Sequence, residues 1–390
     1  MNPFLPSARR VAGAFAIACL TACGGGNEPD SPQHRAEITR AVEARLKALQ
    51  VQYPAVPGIV THVLVQPARL SWGGSTGTAD RATQRVLTPS ATFRTASVTK
   101  PFTAAAIFRL IEQKVVATGD SIERHVSAAS IATLRAGGYD TASMTVDHLL
   151  THRSGLPDHA LSPAYLQAVL ADPTHRWSRA EQLGVAMALG RPLAAPGAAY
   201  HYSDTGYILL GETIELKTGL QLGAAFRSLL SLASLGLVAT YQESIDPAPA
   251  GAGPRAHQEL VEGVDDTMVD ASTDLWGSGG LVSDARDLAL FMRALLDGKV
   301  LGAEAQRAML TVSTVLSGPP NRFAYARGLV KLDVGGIACW GHNAFSGAFA
   351  VHCPEPGITV AGSILATEFV GAPDSITVAM DLVAAIAAVK

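Results

Sequence analysis

A serine hydroxyl and a lysine amine three residues apart on one helix can serve as a nucleophile and the base beside it, and Ser97 and Lys100 stand in that relation. Residues 93–113 begin extended and become helical near Ser97, where Phe102, Ala105, Ala106, Phe108, Leu110 and Ile111 spread over a broad apolar face. Helical spacing puts the two polar side chains on one side, about 5–6 Å between Cβ atoms. A hydroxyl is a weak nucleophile until a neighbour takes its proton. A lysine desolvated by apolar surroundings has its amine form favoured, and the first helical turn offers amide donors to a developing oxyanion. Alone, the pattern S-x-x-K equally describes a helix cap followed by a surface lysine, so the decision lies with the rest of the chain.

Residues 33–50 carry Ile38, Ala41, Val42, Leu46 and Leu49 at helical spacing, and residues 56–66 and 69–79 read as two strands joined at Pro67. From about 118 to 270 helical patterns alternate with long connections bearing Pro, Gly and Asp, and strand alternation is lacking. An amphipathic helix follows over 283–296, then extended stretches at 324–333, 335–341, 348–353 and 358–365, and a closing helix over 375–389. This order predicts an α/β (α+β) unit built from 36–117 and 271–390, with 118–270 inserted as a mostly helical domain. With 48% hydrophobic and 16% charged residues in 390, the chain can bury a full core. A formal charge of −3 without long like-charge runs excludes the basic footprint of a nucleic-acid binder. None of the four cysteines lies in a C-x-x-C pair or at zinc-ligand spacing.

Further blocks accompany the serine. Residues 93–100 (FRTASVTK) are followed by 145–158 (TVDHLLTHRSGLPD), by Tyr202-Ser203-Asp204 with Gly206-Tyr207, by 276–291 (WGSGGLVSDARDLALF) and by Gly341-His342-Asn343-Ala344. In that order they resemble the motifs of the penicillin-recognising serine hydrolases: class C β-lactamases, D-Ala-D-Ala carboxypeptidases and related esterases. The resemblance implies a β-lactamase/transpeptidase-like fold, an antiparallel sheet flanked by helices. It further implies that Ser97 attacks the carbonyl, that Lys100 and Tyr202, the latter as phenolate, move the proton, and that His342 stands where the third motif puts a cation. The amides of Ser97 and Phe345 would form the oxyanion hole, with Asp204, Asn343, Ala344 and Phe345 on the substrate side. Two positions depart from the motifs. Asp204 replaces an asparagine, removing an amide donor and adding a charge that favours charged Lys100 and shifts the base role to Tyr202. Ala344 replaces a glycine, placing a methyl group where a substrate would lie along the strand edge.

At the N-terminus Arg9 and Arg10 precede an apolar run over 11–20 and then Leu20-Thr21-Ala22-Cys23, the order of an export signal over residues 1–22. The last four residues resemble the lipobox of bacterial lipoproteins, which would make Cys23 the acylated first residue, followed by a tether over 23–35. Removing residues 1–22 takes away two arginines and no acid, shifting the formal charge from −3 to −5. Gly24, rather than Asp, after that cysteine points to the periplasmic side of an outer membrane. In that oxidising compartment Cys339 and Cys353 remain, flanking a hairpin pattern with a Ser346-Gly347 turn, and could pair as a disulfide.

Two other patterns are set aside. Ser75 in Gly73-Gly74-Ser75-Thr76-Gly77 matches the nucleophile elbow G-x-S-x-G, but residues 78–84 lack the apolar periodicity of the helix an elbow must open. His148 and His152 are four apart, yet Leu149 stands where a metalloprotease helix carries its glutamate, and His152 reads better as satisfying backbone groups. The expectation is a serine hydrolase working through an acyl-enzyme on amide or ester bonds of small-molecule or peptide substrates, without cofactor or metal. A carboxylesterase of the same fold and a cell-wall or β-lactam-binding sensor without turnover are the alternatives.

Overall fold

The computed structural model describes residues 28–316 and 323–389. The signal segment and Cys23 lie outside the described residues. Ser31 caps the first helix, Pro32–Gln52, its side chain accepting from the His34 amide, and Pro32 occupies the first turn, where its missing N–H costs nothing. Residues 32–35, assigned to the tether on composition, are therefore helical and belong to the domain.

Nine strands form one antiparallel sheet in the order Arg85–Val86, Leu70–Asp80, Gly58–Val65, Ile358–Ser363, Ala348–Cys353, Ile337–Asn343, Val330–Val334, Phe323–Tyr325 and Thr314–Leu316. The stretch 324–333 breaks into two strands because the Ala326 amide bonds the Leu329 carbonyl in a tight turn. The central strands are buried on both faces, so period-two alternation sorts their side chains between two cores. Ile59, Val63, Phe349, Val351 and Val360 pack with the first helix and the last, Ser375–Ala387. Val60, Leu64, Ala348, Ala350 and Ala361 face the opposite way, toward the helices Lys100–Glu112 and Ala285–Leu296. Phe102 and Phe291 stack across that pair at 3.5 Å between ring centroids.

Helices are the main regular elements of residues 118–270, among others Val146–Leu150, Pro163–Ala171 and Asp204–Thr218. Turns and loops nevertheless make up more of the segment than the expected mostly helical domain would have, and Glu259–Val261 pairs with Val264–Asp265 as a short hairpin. The short strand Tyr241–Gln242 ties this region to the rest by pairing with Leu281–Asp284, which also pairs with Thr92–Arg94 just before the serine. No helix among the described residues is long and apolar enough to cross a membrane.

Candidate active site

Ser97 sits on a 3-10 turn, Ala96–Thr99, that runs directly into the helix Lys100–Glu112. Ala96 holds φ +40°, a left-handed conformation that costs a non-glycine residue of the order of 1–3 kcal/mol. The flanking chain fixes it there: the Thr95 amide and hydroxyl both bond the Leu281 carbonyl, and the Arg94 amide bonds Gln258. The small side chains of Ala348 and Ala350 leave room for this turn against the sheet.

Lys100 is completely buried, and its Nζ donates to Ser97 Oγ at 2.9 Å and to the Ser278 carbonyl at 3.0 Å. Asp204 Oδ1 lies 2.5 Å away as an ion pair, off the angle of a hydrogen bond. The glycine-rich loop supplies the carbonyl because Gly277, at φ +112°, turns the chain onto the helix, where Thr103 Oγ1 also bonds the Gly277 carbonyl at 2.7 Å. On the other side Tyr202 Oη donates to Ser97 Oγ at 3.0 Å. Tyr202 is clamped by His152, whose ring lies 4.3 Å from the phenol ring and whose Nδ1 accepts the Ser203 amide at 3.1 Å. That acceptor role leaves the proton on His152 Nε2, which donates to Tyr325 Oη at 2.9 Å. Tyr325 then donates to His342 Nε2 at 3.3 Å, and His342 Nδ1 donates to the Asn343 carbonyl at 2.7 Å. Every proton in this chain has one consistent place.

Two further carboxyls crowd the lysine. Burial, then the charge of Asp204, pushes Asp158 up to about 8 and Asp274 up to about 7. The same causes lift Tyr202 well above its ordinary value, so it rests as a phenol, and the expected phenolate is not the resting form. His342 also departs from expectation. Burial and the neighbouring Lys100 hold it down to about 3, so it is a neutral imidazole accepting from Tyr325 and cannot be the cation of a third motif. The Phe345 amide has no backbone acceptor among the described residues, and Phe345 lines the cleft with Ser97, Tyr202 and His342. A hydroxyl flanked by two proton-carrying groups, with a free amide opposite, is equipped for acyl transfer.

The beta-lactamase family profile matches residues 46–382. The chain belongs to that family. Over the fold it superposes on a D-stereospecific amidohydrolase from Streptomyces sp. with a TM-score of 0.75 and 27% identity, covering 89% of this chain and 99% of that one. Penicillin-binding protein 4* of Bacillus subtilis is 28% identical over 177 residues, 44% of this chain and 36% of that protein. Esterase EstB of Burkholderia gladioli is 31% identical over 159 residues, 40% of each chain. The chain spans less than half the length of these curated relatives. This is a beta-lactamase/transpeptidase-like fold, and the family comprises hydrolases with amidase, esterase and penicillin-binding members.

Within this beta-lactamase-family site other expected positions fall differently. Asp204 and Asn343 line the cleft, but the Asn343 amide is already donated to Asp374 Oδ1 at 2.9 Å. Ala344 does not line it: the residue is buried in the core, its amide bonded to the Ala348 carbonyl, so its methyl group meets protein rather than substrate. Cys339 and Cys353 face each other across the neighbouring strands Ile337–Asn343 and Ala348–Cys353 and are joined as a disulfide. Ser75 lies within the strand Leu70–Asp80, opposite Val60, its Oγ donating to the Leu87 carbonyl at 2.8 Å. His148 Nδ1 accepts the Thr145 amide in a capping box, and no metal-holding cluster of His, Cys, Asp and Glu occurs among the described residues. Tyr325, Asp158, Asp274 and Ser278 were not assigned roles from the sequence. Asp158 lay in the quoted 145–158 block and Asp274 next to the glycine-rich one, whereas Tyr325 has no local signal.

Proposed function

We propose that the chain is a serine hydrolase that forms an acyl-enzyme on Ser97 and acts on esters and amides without a carboxylate beside the scissile carbonyl. The observation that carries the reaction is the convergence of Lys100 and Tyr202 on Ser97 Oγ at 2.9 and 3.0 Å. Attack by Oγ transfers its proton to this pair once one of them has released its own. The oxyanion is taken by the amides of Ser97 and Phe345, and Tyr202 returns a proton to the leaving alcohol or amine. Water then attacks the acyl carbonyl by the reverse proton path and frees Ser97.

The substrate class follows from charge. Asp204, Glu368 and Asp374 line the cleft with neutral His342, and no lysine or arginine is among its described lining residues. A β-lactam or a peptide ending in D-Ala-D-Ala brings a carboxylate that would meet acids among the described lining residues, the buried Lys100 being already paired with Asp204, whereas neutral esters and amine-bearing amides suit it. The similarity to the Streptomyces amidohydrolase and to esterase EstB supports the same class. Fluorophosphonate labelling, read by mass on the Ser97 peptide, should mark Ser97 alone, and p-nitrophenyl esters and amino-acid amides should turn over faster than nitrocefin. A label on Ser75, or faster nitrocefin hydrolysis, overturns the reading. Stable acylation without product release would identify a sensor instead.

The same proposal places the enzyme outside the cytoplasm, held by lipid on Cys23, as the sequence of residues 1–23 and the Cys339–Cys353 disulfide support. Radiolabelled palmitate should enter the wild-type protein and not Cys23→Ala. Equal labelling rejects the anchor.

A further inference from the structure

Beside the catalytic cleft lies a second, more enclosed cavity of about 100 Å³. Leu161, Phe345, Thr367 and Phe369 line both spaces, so the two communicate there. Three of these four are apolar side chains left exposed, Leu161 at 58%, Phe345 at 40% and Phe369 at 61%, which gather as a collar at the mouth. Inside, Leu166, Val169, Leu260, Val269 and Ala271 form the apolar part of the wall, which also carries Glu259, paired with Arg81 at 3.2 Å, and Asp274, whose carboxyl burial pushes up to about 7. The Arg94 charge at its base is offset by Glu243, Nε to Oε2 at 2.6 Å, and by Asp266, so the chamber offers no unpaired cation.

Position decides which half of a substrate would enter. Ala96 and Ser346 line the chamber, and each neighbours a residue, Ser97 and Phe345, whose amide the proposed reaction assigns to the oxyanion. Tyr202, which must hand a proton to the leaving group, lines the open cleft and not the chamber. A carbonyl bound between Ser97 Oγ and those amides therefore directs its leaving group into the cleft and its acyl substituent the other way. We propose that the chamber is the acyl-substituent pocket and selects an unbranched or singly branched aliphatic group. An apolar cavity of about 150 Å³ holds the six carbons of benzene, so 100 Å³ suits roughly four. This assignment rests on the acyl-enzyme reading and narrows it to short aliphatic acyl donors.

The test is kcat/KM on p-nitrophenyl acetate, butanoate, pentanoate, hexanoate and octanoate. The optimum should fall at pentanoate, at least about ten-fold above acetate, since even one of the three added methylenes in a fitted pocket is worth about 10-fold or more. Leu166→Trp, filling the chamber away from the reacting groups, should lower pentanoate about ten-fold and acetate less than two-fold. Val269→Ala should move the optimum to hexanoate. A flat length profile, or equal losses for acetate and pentanoate in Leu166→Trp, overturns the assignment. A binding measurement separates this from the reaction itself: Ser97→Ala titrated by NMR with acetamide and pentanamide. Pentanamide should bind at least ten-fold more tightly, with the gap closed by adding Leu166→Trp, and equal affinities sink the chamber. Ester inertness with that gap intact would instead sink the hydrolase reading while upholding the pocket.

Discussion

The two faces of the central sheet are built to opposite rules. On the face covered by the helices Pro32–Gln52 and Ser375–Ala387 the strands present Ile59, Val63, Phe349, Val351, Ile358 and Val360, with the Cys339–Cys353 disulfide among them. Burial there is aliphatic, worth about 25 cal/mol for each Å² removed from water. The other face carries alanines at 348, 350 and 361, and past them lie Lys100, Asp204, His152, Tyr202 and Tyr325. His62, His342 and His352 occupy alternate positions that also turn to this face. Burying ionisable groups costs free energy unless each finds a partner, so one face supplies the stability that allows the other to hold a charged cluster dry.

That division predicts that changes at the cluster alter rate far more than folding. Ser97→Ala should lower kcat/KM on a p-nitrophenyl ester by ~10⁴-fold or more, with the melting temperature unchanged within about 2 °C. A loss below tenfold would remove Ser97 from the reaction. Tyr202→Phe should cost about 10²–10⁴-fold, the range for a positioned acid–base group, with KM nearly constant. Because burial and Asp204 hold Tyr202 in its phenol form well above its ordinary range, the reactive base population grows as protons are withdrawn. The pH profile of kcat/KM should thus climb steadily from pH 6 to pH 10. A plateau reached below pH 7 would assign the base elsewhere.

How much of this was written in the sequence depends on how local each feature is. Ser97 and Lys100 are bound by helical spacing, and the helix around them was readable from its apolar face. Tyr202 lies 105 residues from Ser97, and only the ordered motif blocks connected the two. Tyr325 reaches the site through sheet register, opposite Val330 and Thr314, which no window of residues around it encodes. Charge state was least legible of all: His342 and Tyr202 match the family's residue types, yet burial, with Lys100 beside one and Asp204 beside the other, makes one a neutral acceptor and the other a phenol. Ala344 was misplaced because a strand end and the turn that follows it look alike in sequence, while its amide in fact closes the hairpin onto Ala348.

The aliphatic face should show the reverse behaviour. Its disulfide spans a sequence separation of 14 residues, and a loop of that size stabilises by about 3 kcal/mol. Cys339→Ser with Cys353→Ser should lose about that much in a urea titration while kcat/KM on esters stays within about threefold. Activity lost in proportion to stability would mean that the two faces are not separable.

The smallest effect separates the faces most finely, because it predicts a gain. Asp158 Oδ1 accepts the amides of Ala160 at 3.1 Å and Asp204 at 3.4 Å, while Oδ2 is buried without a partner. Burial first, and Asp204 second, raise its folded value to about 8, against a model-peptide value of 3.8. A carboxyl whose folded value lies above its unfolded one supports the fold fully below pH 4 and loses that support as pH rises toward 8, since the unfolded chain ionises and the native one resists. Asp158→Asn keeps the shape and the accepting oxygen but cannot titrate. Its melting temperature relative to wild type should therefore improve between pH 5 and pH 9, by about 1–2 °C for each kcal/mol of relieved penalty in a domain of this size. If the difference between the two proteins is the same at both pH values, Asp158 is not held protonated. The polar face would then be stabilised by its charges rather than burdened by them.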